Sequence, residues 1–254
     1  MTIRIFGDKI PLFFTLLFLT FYNNLGFAAS KEASQKQNVQ SMRFAVPYFP
    51  PYVYLDDNNQ LTGLGISRVK KVLDNMELNY EFELVANYGV ALKQLRRAQV
   101  DGFFLATQNK YRDEVAKITD PVLMNNWSWF YKKDNTLELS ATASQSTIRI
   151  GTLLNTNTQV WLQDNGYTIA TLSHDVDTLI SMLLGDRIDA VFLSESVFLY
   201  ALQNHIEKHK IESRVALQRG FSLYVSHSYL AEHRWFMDAF NDELAKLKAS
   251  DNRN

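Results

Sequence analysis

Cysteine is absent from this chain of 254 residues. Without cysteine, no disulfide, thiolate metal site, cysteine nucleophile or cysteine-linked lipid anchor can form, so the fold depends on its apolar core. An excess of basic residues is also absent, because 26 Lys and Arg stand against 27 Asp and Glu. The net charge of −1 predicts neither a nucleic-acid surface nor a polyanionic tail. The apolar content of 46% is typical of a globular protein, and the length suffices for two small domains.

Residues 1–28 have the pattern of a secretory signal peptide. Arg4 and Lys9 give a positive start, residues 10–22 form a short apolar run, and small residues follow at a plausible cleavage site. We therefore predict export to a bacterial periplasm through a cleavable signal peptide. A polar leader is predicted over residues 29–41. The apolar run is short for a transmembrane span, and an uncleaved N-terminal anchor is the alternative.

Strand and helix patterns alternate in the rest of the chain. MRFAV (42–46) and NYEFELV (79–85) predict strands, while ISRVKKVLDNM (66–76) has the apolar spacing of a helix. A second helical pattern and the buried strand VDGFFLA (100–106) follow. This alternation predicts an α/β fold with a mostly parallel sheet flanked by helices.

One sequence pattern occurs twice. LRRAQVDGFFL (95–105) and LLGDRIDAVFL (183–193) both read leucine, four residues, an aliphatic residue, aspartate, a small residue, one apolar residue and Phe-Leu. The strands that open the two units, MRFAV and IRIGT (148–152), are also alike. A repeat in which both parts recur in the same order predicts two similar α/β lobes.

The chain is predicted to cross twice between these lobes. Residues 42–126 form the first segment of lobe 1, residues 127–221 form lobe 2, and residues 222–254 return to lobe 1 with a strand and one amphipathic helix. The apolar stripe of that helix comprises Leu230, Phe236, Phe240, Leu244 and Leu247. The crossings, near 126–131 and 219–224, would form a hinge.

Candidate ligand-binding residues follow the repeated strands, because open α/β sheets bind ligands beyond the carboxyl ends of their strands. Thr107 follows the repeated strand that ends in Phe-Leu in lobe 1, and Ser194 and Glu195 follow the corresponding strand in lobe 2. Strand alternation favours Ser194 facing the cleft. If Glu195 faced the cleft instead, it would hold an ammonium group.

Arg112 lies on the same loop as Thr107. A guanidinium can donate two parallel hydrogen bonds to a carboxylate and stays protonated at any relevant pH. The alternative is a surface arginine paired with Asp113 or Glu114, an interaction that contributes little. Sequence position alone leaves both interpretations open.

Four motifs stand in order between residues 42 and 249. They are YFPPYVYLDDNNQLTG (48–63), ATQNKYRDEVAKITDPV (106–122), NTNTQVWL (155–162) and GDRIDAVF (185–192). Together they resemble the bacterial extracellular solute-binding proteins of family 3, the polar amino-acid type of periplasmic receptor. The resemblance implies a two-lobe, type II periplasmic-binding-protein-like fold. In that fold each lobe is a mostly parallel sheet flanked by helices, and a two-strand hinge joins the lobes.

The resemblance also implies roles for individual residues. Arg112 would bind the carboxylate of a small ligand, assisted by Thr107. Tyr52 would pack on the ligand, and Thr156 would contribute from lobe 2. Ser194 is included as the inward residue after the second repeated strand.

The sequence departs from the family pattern mainly where members hold an ammonium group. Val46 and Ser194 stand in place of the two aspartates usual there. Ser67, Asn109 and Asn155 replace an aspartate, a threonine and a glycine of the pattern. The carboxylate half of the site is kept and the ammonium half is not. The predicted ligand is therefore a small carboxylate, either an amino acid or a related organic acid.

Three functions are consistent with these residues. The first is a monomeric periplasmic binding protein that delivers its ligand to the membrane subunits of an ABC importer. The second is a periplasmic sensor that acts on a membrane signalling protein. The third is an enzyme on the same fold, similar to a dehydratase, for which Glu195 would be the general acid–base. We favour a protein that is not an enzyme and has no catalytic residues, cofactor, metal or nucleic-acid partner.

Overall fold

The computed structural model describes residues 41–135 and 148–251. The predicted signal peptide, and the predicted leader up to residue 40, lie outside the described residues. The first lobe contains β1 (Met42–Pro47), β2 (Tyr54–Leu55), β3 (Leu61–Thr62), α1 (Leu64–Asn75), β4 (Tyr80–Val85), α2 (Tyr88–Arg96), β5 (Gly102–Ala106), α3 (Lys110–Asp113) and β6 (Ala116–Ile118).

The long strand β7 (Leu123–Lys132) leads to the second lobe. This lobe contains β8 (Ile150–Leu153), α4 (Asn157–Asp164), β9 (Ile169–Ser173), α5 (Val176–Leu184), β10 (Ala190–Ser194) and α6 (Glu195–Leu202). A 3-10 turn at Lys208–Lys210 precedes β11 (Ile211–Ser226), and the chain continues with α7 (His227–Glu232) and α8 (Phe236–Asp251).

The internal repeat is visible in the strand order. In the first lobe β1 lies between β4 and β5 and is parallel to both. In the second lobe β8 lies between β9 and β10 and is again parallel to both. The two units therefore share a βαβαβ arrangement with the first strand in the middle, as the repeated sequence pattern predicts.

Two long antiparallel strands connect the units. β7 and β11 pair from Ile211 opposite Lys132 to Phe221 opposite Leu123. β10 pairs with β7, while the last part of β11 pairs with β5 and β6. Both predicted crossing segments lie within this strand pair, so it has the position expected of a hinge.

The aspartate of the repeated pattern makes the same link in both lobes. Asp101 Oδ2 accepts a hydrogen bond of 2.9 Å from the Arg43 backbone N–H, and the Asp101 N–H donates to Arg43 O at 2.8 Å. Asp189 and Arg149 form the equivalent two bonds, each of 2.8 Å. The Arg149 guanidinium also binds the Asp189 carboxylate, and this hydrogen bonding lowers the pKa of Asp189. The repeat thus joins the starts of two neighbouring strands in each lobe.

The final amphipathic segment is two helices, so the prediction of one helix is wrong. α7 ends before His233, whose N–H and ring Nδ1 both lie within hydrogen-bond distance of Tyr229 O. The chain re-enters a helix at Phe236, whose N–H bonds to His233 O at 3.0 Å. The apolar stripe is still buried from Phe236 onward. Within the described residues, none of the helices is long and apolar enough to span a membrane.

Candidate functional site

A small cavity lies where the carboxyl ends of β5 and β10 meet β7 and β11. Its volume is ≈ 20 Å³, room for about one water molecule. Its lining comprises Phe49, Tyr88, Thr107, Arg112, Asn125, Trp127, Thr156, Asn157, Thr158, Leu193, Ser194 and Phe221. Four of the five predicted ligand-binding residues, Thr107, Arg112, Thr156 and Ser194, therefore face one space.

Arg112 is buried at this cavity, with only 5% of its surface exposed. It belongs to the short helix α3, which is capped by Asn109 through a bond from the Arg112 N–H to Asn109 Oδ1 of 3.0 Å. Its guanidinium lies 5.0 Å from the Tyr88 ring centre and 5.7 Å from that of Phe103. Nη1 donates to Thr107 O at 2.7 Å. Aromatic faces and one carbonyl thus hold the guanidinium in place.

The Arg112 cation has no carboxylate partner within ion-pair distance among the described residues. Asp113 accepts a hydrogen bond from Tyr224 Oη at 2.7 Å, and Glu114 pairs with Arg96 at 3.1 Å. Interpreting Arg112 as a surface arginine paired with either acid is therefore wrong. Burial lowers the pKa of Arg112, because the charged form loses hydration. A buried, unpaired cation is costly and favours an incoming anion.

Asn157, the first residue of α4, closes the cavity from the second lobe. Its Nδ2 donates to Thr107 O at 2.7 Å, to Thr107 Oγ1 and to Gln108 O at 3.3 Å. Its Oδ1 accepts from Asn109 Nδ2. The amide thus links α4 to the β5–α3 loop that carries Arg112. The sequence prediction named Thr156 as a ligand-binding residue and did not include its neighbour Asn157. An asparagine in the first turn of a helix that follows one of the repeated strands could have indicated it.

Replacing Asn157 by alanine is expected to open the cleft in the absence of ligand. The change removes the hydrogen bonds between α4 and the β5–α3 loop, each contributing about 1 kcal/mol. The ratio of closed to open molecules should fall by roughly tenfold or more. Small-angle X-ray scattering should then give a larger radius of gyration than for the wild type. Asn165→Ala, at the other end of the same helix, is the control, and an unchanged radius in Asn157→Ala would contradict the role of this amide.

Thr156 has its hydroxyl engaged within its own lobe. Oγ1 donates to Leu153 O at 2.7 Å, lies 2.8 Å from Thr158 Oγ1 and accepts from the Gln159 N–H as the cap of α4. Thr158 Oγ1 in turn lies 2.9 Å from Thr152 Oγ1. Thr156 therefore reaches the cavity wall while its hydroxyl stabilises the turn before α4.

Ser194 and Tyr52 meet at Asn125 on β7. Ser194 Oγ donates to Asn125 Oδ1 at 2.6 Å, and Tyr52 Oη donates to the same oxygen at 3.4 Å. Tyr52 packs its ring against Phe49 and Phe221, and burial raises its pKa. The structure places Tyr52 behind Asn125, outside the cavity lining. Asn125 was not predicted, because an asparagine between two strand residues carries no distinctive sequence signal.

The sequence matches the family described as bacterial extracellular solute-binding proteins, family 3, over residues 42–254. The chain belongs to this family. A search of curated proteins gave no match.

Solved structures of similar fold include several binding proteins. A histidine kinase sensor domain with similarity to periplasmic binding proteins has a TM-score of 0.73 at 15% identity, covering 85% of this chain and 94% of that one. The arginine-, lysine-, histidine-binding protein ArtJ of Geobacillus stearothermophilus has a TM-score of 0.68 at 16% identity, with coverage of 83% and 90%. The GluR0 ligand-binding core in complex with L-glutamate has a TM-score of 0.69 at 13% identity, with coverage of 83% and 93%. The predicted type II periplasmic-binding-protein-like fold is confirmed.

Acidic residues are missing from the cavity lining of this family member within the described part of the chain. Val46 is buried in the core of β1. Glu195 accepts hydrogen bonds from Asn126 Nδ2 at 2.9 Å and from Ser128 Oγ at 3.4 Å. Since neighbouring strand residues point to opposite faces, these contacts put the Glu195 carboxylate on the face of β7 opposite Asn125. Its position lends no support to the dehydratase-like alternative, nor to an ammonium-binding role.

The described residues also contain no cluster of potential metal ligands. No group of three or more His, Cys, Asp or Glu side chains there is placed to hold an ion. The chemistry of the site therefore comes from one cation and a set of amides and hydroxyls. Such a set can bind and orient an anion.

Proposed function

We propose that this protein is a periplasmic solute-binding protein whose lobes close on a small ligand carrying a carboxylate, with Arg112 as the anchor. The supporting observation is the buried guanidinium that has no acidic partner at ion-pair distance in the described residues. Thr107 and Ser194 lie on the same cavity and would contact the ligand. The proposal includes two lobe boundaries. The first, at 126/127, lies within β7. The second, at 221/222, lies within β11, where its pairing with β7 ends at Phe221.

Ligand entry requires the cleft to open. The cavity holds about one water molecule, and the Asn157 amide occupies the polar groups of the β5–α3 loop. An incoming carboxylate would displace this amide from its contacts near Arg112 and take two hydrogen bonds from the guanidinium. When the lobes close on the ligand, α4 would again contact the β5–α3 loop, with the ligand carboxylate between Asn157 and Arg112.

Delivery to an ABC importer is the output we favour, with the exported chain acting as a monomer in the periplasm. The family description as extracellular solute-binding proteins supports this output. A second output is sensing, in which the closed form contacts a membrane signalling protein. The likeness to a histidine kinase sensor domain supports that alternative.

Thermal unfolding with a ligand panel tests the proposal. Amino acids, oxo acids and dicarboxylic acids are each compared with the corresponding primary carboxamide. A binding acid present at a hundred times its dissociation constant should add roughly 2.7 kcal/mol to the free energy of unfolding. Its carboxamide should add far less, since it lacks the charge that Arg112 requires. If no acid raises the unfolding temperature, or the carboxamides act equally well, the proposal is wrong.

Deletion of the gene separates the two outputs. A transport protein is expected to be needed for uptake of the radiolabelled ligand found in the panel. For a sensor, uptake would be unchanged while the transcriptional response to the same ligand would be lost.

A further inference from the structure

The side-chain nitrogen of Asn125 is buried without a hydrogen-bond partner in the described residues. Only 1% of the Asn125 surface is exposed, and the residue lines the same cavity as Arg112. Buried amide nitrogens are almost always paired, because an unpaired donor loses its hydration without compensation. An unpaired donor in a cavity wall marks a position that a ligand atom can fill.

The orientation of this amide follows from its two hydroxyl neighbours. The distance of 2.6 Å from Ser194 Oγ has the length of an O–H···O bond and is shorter than the usual N–H···O range. The atom facing Ser194 is therefore Oδ1, which also accepts from Tyr52 Oη. These two bonds leave the NH₂ group as the free end of the amide, so Asn125 offers the cavity a donor.

The charges around the cavity disfavour an ammonium group. Arg112 is the one charged residue in the lining among the described residues, and it is a cation. Glu195 is held on the opposite face of β7 by Asn126 and Ser128. An α-ammonium group in this cavity would face the Arg112 guanidinium and the Asn125 donor, and the lining offers no carboxylate to balance its charge. An oxygen acceptor would instead accept a hydrogen bond from Asn125.

We propose that Asn125 is a specificity-determining residue that donates from Nδ2 to an oxygen next to the ligand carboxylate, so that the site takes 2-oxo or 2-hydroxy acids in preference to α-amino acids. This inference rests on the proposed carboxylate-binding function. Arg112 and Asn125 line the same cavity, so a ligand whose carboxylate binds Arg112 can present a neighbouring oxygen to Asn125. Ser194 and Tyr52 act as positioning residues, because they fix Oδ1 and leave Nδ2 free.

Isothermal titration with matched probes tests the proposal on the unaltered protein. The first set is pyruvate, L-alanine and propionate, and the second is 2-oxoglutarate, L-glutamate and glutarate. In at least one set, the oxo acid should bind at least tenfold more tightly than both the amino acid and the acid that lacks the 2-oxygen. An amino acid that binds as tightly as its oxo acid would overturn the assignment of Asn125 and leave the carboxylate function standing. If no acid of either set binds and the wider carboxylate panel is also negative, both proposals fail.

Asn125→Leu gives a second readout, the change in selectivity. The variant should bring the oxo acid and the acid lacking the 2-oxygen to within about twofold of each other, since leucine has nearly the same shape and no donor. Asn165→Leu makes the same change at an exposed position at the end of α4, away from the cavity, and should keep the wild-type selectivity. A tenfold preference retained in Asn125→Leu would contradict the proposal. Because the readout is a ratio between ligands, a uniform loss of stability does not produce it.

Discussion

Arg112→Met should weaken carboxylate binding by roughly 100-fold or more while leaving the unliganded protein at least as stable. Each charge-assisted hydrogen bond contributes about 1.5–3 kcal/mol, and a guanidinium can donate two of them to one carboxylate. In the unliganded protein, however, Arg112 is a buried cation with no acidic partner at ion-pair distance in the described residues, and burial lowers its pKa. Methionine keeps the packing against Tyr88 and Phe103 and removes the charge.

Titration calorimetry and urea unfolding measure the two halves of this prediction. The control is Arg96→Met, which removes an exposed arginine that pairs with Glu114 and should leave ligand affinity unchanged. Retained affinity in Arg112→Met would remove Arg112 from the binding site. A large loss of stability would mean instead that the arginine serves the fold.

Much of the fold could be predicted because it depends on regular spacing. The alternation of strands and helices, the repeated pattern ending in Phe-Leu and the second main strand of lobe 1 all follow apolar periodicity. The break between α7 and α8 could not be predicted in this way. The apolar stripe continues across it, while the local bonds from His233 to Tyr229 that end α7 leave no mark in the periodicity.

The candidate site was predictable only where a residue type suits a single chemistry. Arg112 became a candidate through its place on the loop after a repeated strand and through the family resemblance, and its burial then excluded a surface ion pair. Asn125 was missed because an asparagine within a strand carries no distinctive signal, and only the folded chain brings it to the same cavity as Asn157. Strand alternation already favoured Ser194 over Glu195, and the contacts of Glu195 on the far side of β7 agree with that preference.

Gly63→Ala should destabilise the protein by about 3 kcal/mol or more. Gly63 precedes α1 with φ 125° and ψ 167°, a backbone conformation accessible essentially to glycine alone. A Cβ atom there would overlap the carbonyl of Tyr52 and lie 2.9 Å from Pro51 O. Those two carbonyls accept hydrogen bonds from the N–H groups of Gly65 and Leu64 at the start of α1. The strain and the lost bonds add to one another.

Because the displaced turn carries Tyr52, Gly63→Ala should also loosen the hydrogen bond to Asn125 and weaken ligand binding. Urea unfolding at pH 7 measures the stability change, and calorimetry measures the affinity. Gly185→Ala is the matched control. Gly185 has an ordinary φ of −86° at the end of α5, and its added Cβ would lie 3.1 Å from one carbonyl, so a loss below about 1 kcal/mol is expected. A loss in Gly63→Ala no larger than in this control would contradict the prediction. It would mean that the turn at Tyr52 can move without losing its hydrogen bonds to α1.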